Sequence, residues 1–128
     1  ATPIAEYQAE EGTHIEDGRI TAERTGYTGE SYVDYGNEGS YVEWSNIKPE
    51  SGTCFLSLRY ANGTPNPRTG EVKINDEVWI VIFEPTGEWT DWSTVLIPNV
   101  ILTKDINMIR VKAISSTGGP NLDKIEIY

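Results

Sequence analysis

Oxygen-bearing side chains gather at both ends of this chain. Near the start, Tyr7-Gln8-Ala9-Glu10 sets an amide and a carboxylate on one face of an opening strand, because side chains two apart in a β-strand point the same way. Near the end, the loop Gly118-Gly119-Pro120 leads into Asn121-Leu122-Asp123-Lys124-Ile125 and delivers a second amide and carboxylate into a closing strand. Carboxylates, amide oxygens and backbone carbonyls are the donors of a hard cation such as Ca²⁺, which takes roughly six to eight of them. The two ends read as halves of one cation site. On charge alone, Glu10 and Asp123 read more readily as ordinary solvated acids.

Catalytic constellations are missing by comparison. The one histidine, His14, falls in a Gly- and Glu-rich turn without a Ser or Cys motif around it. No G-x-S-x-G, H-E-x-x-H or P-loop is present. Twenty acidic residues supply many accidental carboxylate pairs, but a glycosidase needs two at a defined separation across the scissile bond. The expectation is a protein that holds a ligand and performs no catalysis.

Charge narrows the ligand. Twenty acidic against ten basic residues give a net charge of -10, which opposes nucleic acid, whose phosphates need clustered Lys and Arg. Acidic polysaccharides are repelled for the same reason, unless a bound divalent cation reverses the field locally. The lone Cys54 in Thr53-Cys54-Phe55-Leu56-Ser57-Leu58 excludes an intrachain disulfide and reads as a small buried hydrophobe. No apolar run approaches the about 18 residues of a membrane span.

At 128 residues the chain is expected to form one domain, residues 1–128, around a single core. It begins without Met and ends on a strand residue, as a module excised from a larger secreted protein would. No segment holds a helical period, and short alternating stretches recur between Gly, Asn, Asp and Pro clusters. Strands are expected near 4–10, 18–24, 31–35, 40–47, 53–61, 70–75, 77–84, 92–102, 107–114 and 122–128. The fold class is all-β, a two-sheet sandwich. Asn75-Asp76 makes a tight hairpin turn, and Val78, Ile80 and Ile82 face one side beyond it. Trp44 and Trp79, within strands, read as packing. The long loops are 61–70, 83–92 and 115–120, where a rigid sandwich usually carries its binding groups.

Five stretches in register over nearly the whole chain resemble carbohydrate-binding modules of family 35, with family 6 closely related. They are Tyr7-Gln8-Ala9-Glu10; Thr25-Gly26-Tyr27-Thr28-Gly29 followed by Tyr32-Val33-Asp34; Leu58-Arg59-Tyr60-Ala61-Asn62-Gly63; Thr86-Gly87-Glu88-Trp89-Thr90-Asp91-Trp92; and Gly118-Gly119-Pro120-Asn121-Leu122-Asp123-Lys124-Ile125. The resemblance implies a jelly-roll sandwich without catalysis, secreted and monomeric, anchoring an appended glycoside hydrolase to plant cell-wall polysaccharide. It implies a structural calcium held by Gln8, Glu10, Thr25, Thr28 and Asp123. It also implies a sugar site among the loops of one edge, with a ring stacked on the pyranose and polar groups on its hydroxyls.

The candidates for that site are Tyr60, Asn62, Arg68, Trp89, Trp92 and Asn121. Trp89, between Glu88 and Thr90 in a loop, is the preferred stacking ring. Trp92 begins a strand and fits core as well as site, and Tyr60 fits a cover over the sheet end. One Arg in the 61–70 loop and a net charge of -10 favour a neutral β-mannan or related hemicellulose. The alternative is glucuronic or unsaturated galacturonic acid on xylan or pectin, bound with a second, ligand-bridging calcium. A protein-protein adhesion sandwich is the remaining alternative; it would show the same strands without polar loop groups converging on Trp89.

Overall fold

The computed structural model describes residues 2–48, 52–103 and 105–128. Two antiparallel sheets face each other across the core. The strands are β1 (Ala5–Gln8), β2 (His14–Glu16), β3 (Gly18–Thr21), β4 (Tyr32–Tyr35), β5 (Tyr41–Ile47), β6 (Thr53–Ala61), β7 (Arg68–Ile74), β8 (Glu77–Phe83), β9 (Ser93–Ile101), β10 (Asn107–Ala113) and β11 (Asn121–Ile127). One sheet has the order β3-β4-β11-β6-β9, with β1 also paired to β11; the other has the order β2-β5-β10-β7-β8. The fold is the all-β sandwich expected.

Period-two alternation builds it. Val72 and Ile74 in β7, Val81 and Phe83 in β8, and Ile109 and Val111 in β10 point into the core and are at most 6% exposed. Trp44 is fully buried and Trp79 packs against the core from its edge, as expected of both. Cys54 is buried in β6. Val78, Ile80 and Ile82 do share one face of β8, but it is the outer one, where they are about half exposed. Asn75 closes the β7–β8 turn with a φ of 52°, a left-handed conformation that Asn tolerates better than most residues.

Two details correct the sequence reading. The opening strand stops at Gln8, and Glu10 sits in a short 3-10 turn, Ala9–Glu11. His14 lies not in a turn but in a short edge strand, opposite Glu43 of β5. Both segments are too short to show a period, and their conformation follows from tertiary pairing.

The topology brings the chain ends together. β1 runs antiparallel to β11, with Gln8 opposite Lys124. The β11–β6 register slips between Leu122, opposite Tyr60, and Lys124, opposite Arg59, so Asp123 is the extra residue of a bulge. Leu122 and Asp123 are consecutive and both fully buried, which unbroken alternation would not give to a half-solvated strand.

Candidate functional site

Asp123 is the centre of the first cluster. Its carboxylate is 0% exposed; it accepts the Thr28 N–H at 3.0 and 3.1 Å, the Thr28 hydroxyl at 2.8 Å and Nη1 of Arg59 at 2.9 Å. The Gln8 amide donates to Thr28 Oγ1 at 3.2 Å. Gly29, with a φ of 66°, folds the loop down on this pair, so that a Cβ there would meet Gln8 Oε1 at 3.0 Å and Glu10 Oε2 at 3.3 Å. Gln8, Glu10, Thr28 and Asp123 are thus brought to one place. The Thr25 carbonyl, in the same loop, accepts Nε1 of Trp92 at 2.9 Å.

Glu10 is the unsatisfied member. Its Oε1 is buried without a hydrogen-bond partner. Burial raises its pKa, and the neighbouring charges of Asp123 and Glu11 add to the rise, while backbone N–H groups oppose it. An orphaned acceptor in a field of negative charge is the environment a cation relieves. Among the described residues no three Asp, Glu, His or Cys side chains converge. A calcium site here would rest on two carboxylates completed by the Gln8 amide oxygen, the Thr28 hydroxyl and backbone carbonyls of the 25–29 loop, a donor set that suits the ion.

A second site opens where β3, β4 and β11 lie side by side. Arg19 is opposite Asp34, and Asp34 is opposite Asn121, so residues of three strands form one row across the sheet. With Glu23, Arg24, Tyr32 and Trp89 they line a pocket of about 180 Å³. Asn121 is 4% exposed and its Oδ1 has no hydrogen-bond partner, an acceptor left open at the pocket wall. Arg19 spans Glu23 at 2.8 Å and Asp34 at 3.2 Å, both exposed pairs of the kind worth little in water and readily exchanged for a ligand.

Trp89 is held for this pocket by the loop below it. Gly63 lies so close that a Cβ would meet the indole and the Trp89 backbone, so only glycine fits. On the other side the Arg68 guanidinium sits 5.7 Å from the ring centroid. Arg68 donates to the Gly119 carbonyl at 2.6 Å while its Nε stays buried and unpartnered. Burial lowers its pKa, against the pull of Asp34.

Three sequence candidates take other places. Tyr60 is 4% exposed; it packs edge-on to Phe83 at 5.0 Å and donates its hydroxyl to the Glu84 carbonyl, leaving no face for a sugar. Asn62 is 0% exposed, and its amide is fully used: Nδ2 donates to the carbonyls of Phe83 and Asn66, and Oδ1 accepts from the N–H and hydroxyl of Thr64. It ties the Trp89 loop to the sheet and does not contact the pocket. Trp92 packs on Gly26, edge-on to Tyr32 at 5.3 Å and beneath Arg59 at 5.4 Å. Trp92 is half-buried, belongs neither to the core nor to the pocket lining, and braces the 25–29 loop.

Conversely, Arg19, Glu23, Arg24, Tyr32 and Asp34 reach the pocket without having been singled out for it. Only the register of β3 against β4 reveals them. The available signal was Tyr32-Val33-Asp34, read as part of a motif but not as part of a site.

Residues 16–127 match the family model described as carbohydrate binding module (family 35). The exo-β-D-glucosaminidase of Amycolatopsis orientalis is 38% identical over 125 residues, which are 95% of this chain; the chain spans 12% of that enzyme's length. A family 35 carbohydrate-binding module from Clostridium thermocellum superposes with a TM-score of 0.86 at 38% identity, over 100% of this chain and 98% of that one. A further family 35 module, solved in complex with a glucuronic-acid-containing disaccharide, superposes with a TM-score of 0.81 at 28% identity, over 99% and 91% of the two chains. With the family model matching residues 16–127 and solved modules superposing over the chain's length, this chain belongs to carbohydrate-binding module family 35, a non-catalytic domain that binds carbohydrate.

Proposed function

We propose that the pocket between Arg19, Asp34, Asn121 and Trp89 binds a terminal or branching uronic acid of a plant cell-wall polysaccharide. The carrying observation is that three of the chain's ten basic residues, Arg19, Arg24 and Arg68, gather at this end of a protein of net charge -10. Guanidinium groups match carboxylates in shape and charge, and that match needs no favourable long-range field. The sequence preference for neutral β-mannan rested on the single Arg of the 61–70 loop and the net charge of -10; Arg19 of β3 and Arg24 beyond its end tilt the balance. The glucuronic-acid-bound relative is consistent with this reading. The small pocket suits one sugar residue better than the flank of a long chain, with Trp89 as its wall and the open Asn121 Oδ1 accepting from a hydroxyl.

A calcium ion at Gln8, Glu10, Thr28 and Asp123 accompanies this reading. Bound there, it supplies charge neutralisation and cross-links the two chain ends; what supports it is the orphaned, desolvated Glu10 carboxylate. The parent protein is a secreted glycoside hydrolase, and this module is its covalently attached, monomeric anchor. The small share of the glucosaminidase that the chain spans supports that arrangement.

Calorimetric titration with glucuronic acid and with mannan oligosaccharides, each with calcium and after chelation, tests the ligand. Glucuronate binding without mannan binding is expected. Its loss on chelation would add a ligand-bridging ion near Asp34 and Asn121, and mannan binding alone would return the pocket to a neutral hemicellulose.

A further inference from the structure

Apolar side chains gather on the outer face of the sheet that contains β1, β11, β6 and β9, at the end remote from the sugar pocket. The Phe55 and Tyr128 rings stack at 4.8 Å with 8° between their planes, and the two residues exchange backbone hydrogen bonds of 2.9 and 3.1 Å that fix the pair. Beside them the Ile4 N–H donates to the Ile127 carbonyl at 2.6 Å, so the start of β1 lies against the end of β11. On β9, Leu96 is opposite Ser57 and Ile101 opposite Thr53, the residues two places to either side of Phe55. Leu56, Ile97, Val100 and Ile127 take the core side, which turns their chain neighbours outward. Ile4, Phe55, Leu96 and Ile101 are 39 to 63% exposed. Single exposed aliphatics are ordinary on a protein surface, but a group assembled around a fixed aromatic pair marks a contact face.

The position of this patch says what covers it. Asn121, the first residue of β11, belongs to the sugar pocket, and Tyr128 follows the last, so about 23 Å of strand separates pocket from patch. Because Ile4 and Tyr128 both lie at the patch, polypeptide joined to either end of the module sets out from it. The glucosaminidase relative has most of its length outside the part this chain matches. A second copy of the module suits the patch less well. Each copy carries a net charge of -10, and the patch is bordered by Glu6 and Glu126 with Lys124 between them.

We propose that this patch is the face on which the domain covalently joined to the module docks, and that the docking surface offers an apolar centre with a basic rim toward Glu6 and Glu126. The inference rests on the covalent attachment proposed above and not on the choice of sugar. Tethering gives the joined domain a high effective concentration, so a patch too small to hold a free partner suffices. Docked there, the joined domain leaves the Trp89 pocket at the far end of β11 open to the polysaccharide.

The test compares hydrogen exchange and thermal unfolding of the free 128-residue module with those of the same module inside its parent enzyme. In the parent, the backbone amides of Ile4, Phe55 and Tyr128 should exchange at least about tenfold more slowly, and the module should unfold at a higher temperature. Leu96→Glu combined with Ile101→Glu alters two exposed positions. It should leave the Tm and the glucuronate affinity of the free module unchanged, and in the parent it should return exchange to the free rates. Equal exchange in free module and parent would overturn the docking face while leaving the uronate pocket intact. A dimer of the free module that this double substitution dissolves would give the patch to a second copy and overturn the proposal. Slowed exchange in a parent that fails to bind glucuronate would uphold the docking face and overturn the ligand reading alone.

Discussion

Arg59 Nη1 lies 2.9 Å from Asp123 Oδ2, with the arginine side chain 26% exposed and the aspartate 0%. The same nitrogen donates to the Gly26 carbonyl at 2.9 Å, and the guanidinium sits 5.4 Å from the Trp92 ring centroid. One arginine therefore ties the bulged carboxylate, the 25–29 loop and its bracing tryptophan together. Removing it leaves Asp123 buried with part of its charge uncompensated. Arg59→Ala is expected to destabilise the protein by about 2 kcal/mol, less than the loss of a fully enclosed pair because water reaches the arginine. Urea unfolding measures it, and added calcium should recover part of the loss.

Calcium should itself stabilise the fold. An ion that binds only the native state adds roughly 2.7 kcal/mol at a hundredfold excess over its dissociation constant. Thermal unfolding should show a higher Tm with calcium than with chelator, and E10Q should shrink the difference. An unchanged Tm across calcium concentrations would remove the ion from this site.

The two loop tryptophans should separate binding from stability. Trp89→Ala should abolish measurable sugar binding while leaving the circular dichroism spectrum native. Trp92→Ala deletes the Nε1 bond to Thr25 and the edge contact with Tyr32, and should cost about 2 kcal/mol of stability, with sugar binding weakened only through the loosened loop. Calorimetry and thermal unfolding of both variants distinguish the two roles.

Asn62→Ala should act as a core substitution although Asn62 is polar and sits in a loop motif. It leaves the Phe83 and Asn66 carbonyls and the Thr64 N–H short of a partner. The expected loss is on the order of 3 kcal/mol in denaturant unfolding, because buried groups left unpaired keep their dehydration cost.

Alkali should unfold the protein through its tyrosines. Burial raises the pKa of Tyr32, Tyr35 and Tyr60 above the ordinary value of 10, most of all for Tyr35. Each binds its proton more tightly folded than unfolded, so the stability is fully present below pH 10 and lost as pH rises beyond it. Tyrosinate absorbance should show these three rings ionising only as the fold is lost. A titration completed near pH 10 with native structure retained would contradict their burial.

The legible part of the site was the part encoded by local chemistry. Gln8, Glu10, Thr28 and Asp123 carry oxygen donors whatever their surroundings, and Trp89 in a polar loop has little to bury against. The roles of Tyr60, Asn62 and Trp92 were not legible in the same way, because a polar or aromatic side chain beside a loop points outward or inward according to partners far away in sequence. Asn62 bonds to Phe83, and Trp92 to Thr25.

The sequence by itself determined the all-β sandwich, since apolar side chains alternate with polar ones in β7 and β10 and each such strand has one face to bury. It also carried the motifs by which the chain belongs with non-catalytic carbohydrate-binding modules. Tertiary structure alone decided which oxygens and cations meet. The β11 bulge turns Asp123 to Arg59 and Thr28, and the registers of β3, β4 and β11 set Arg19, Asp34 and Asn121 in one row. Register follows from the pairing of strands distant in the chain, where a slip of one residue reverses every side chain, and no local pattern specifies it.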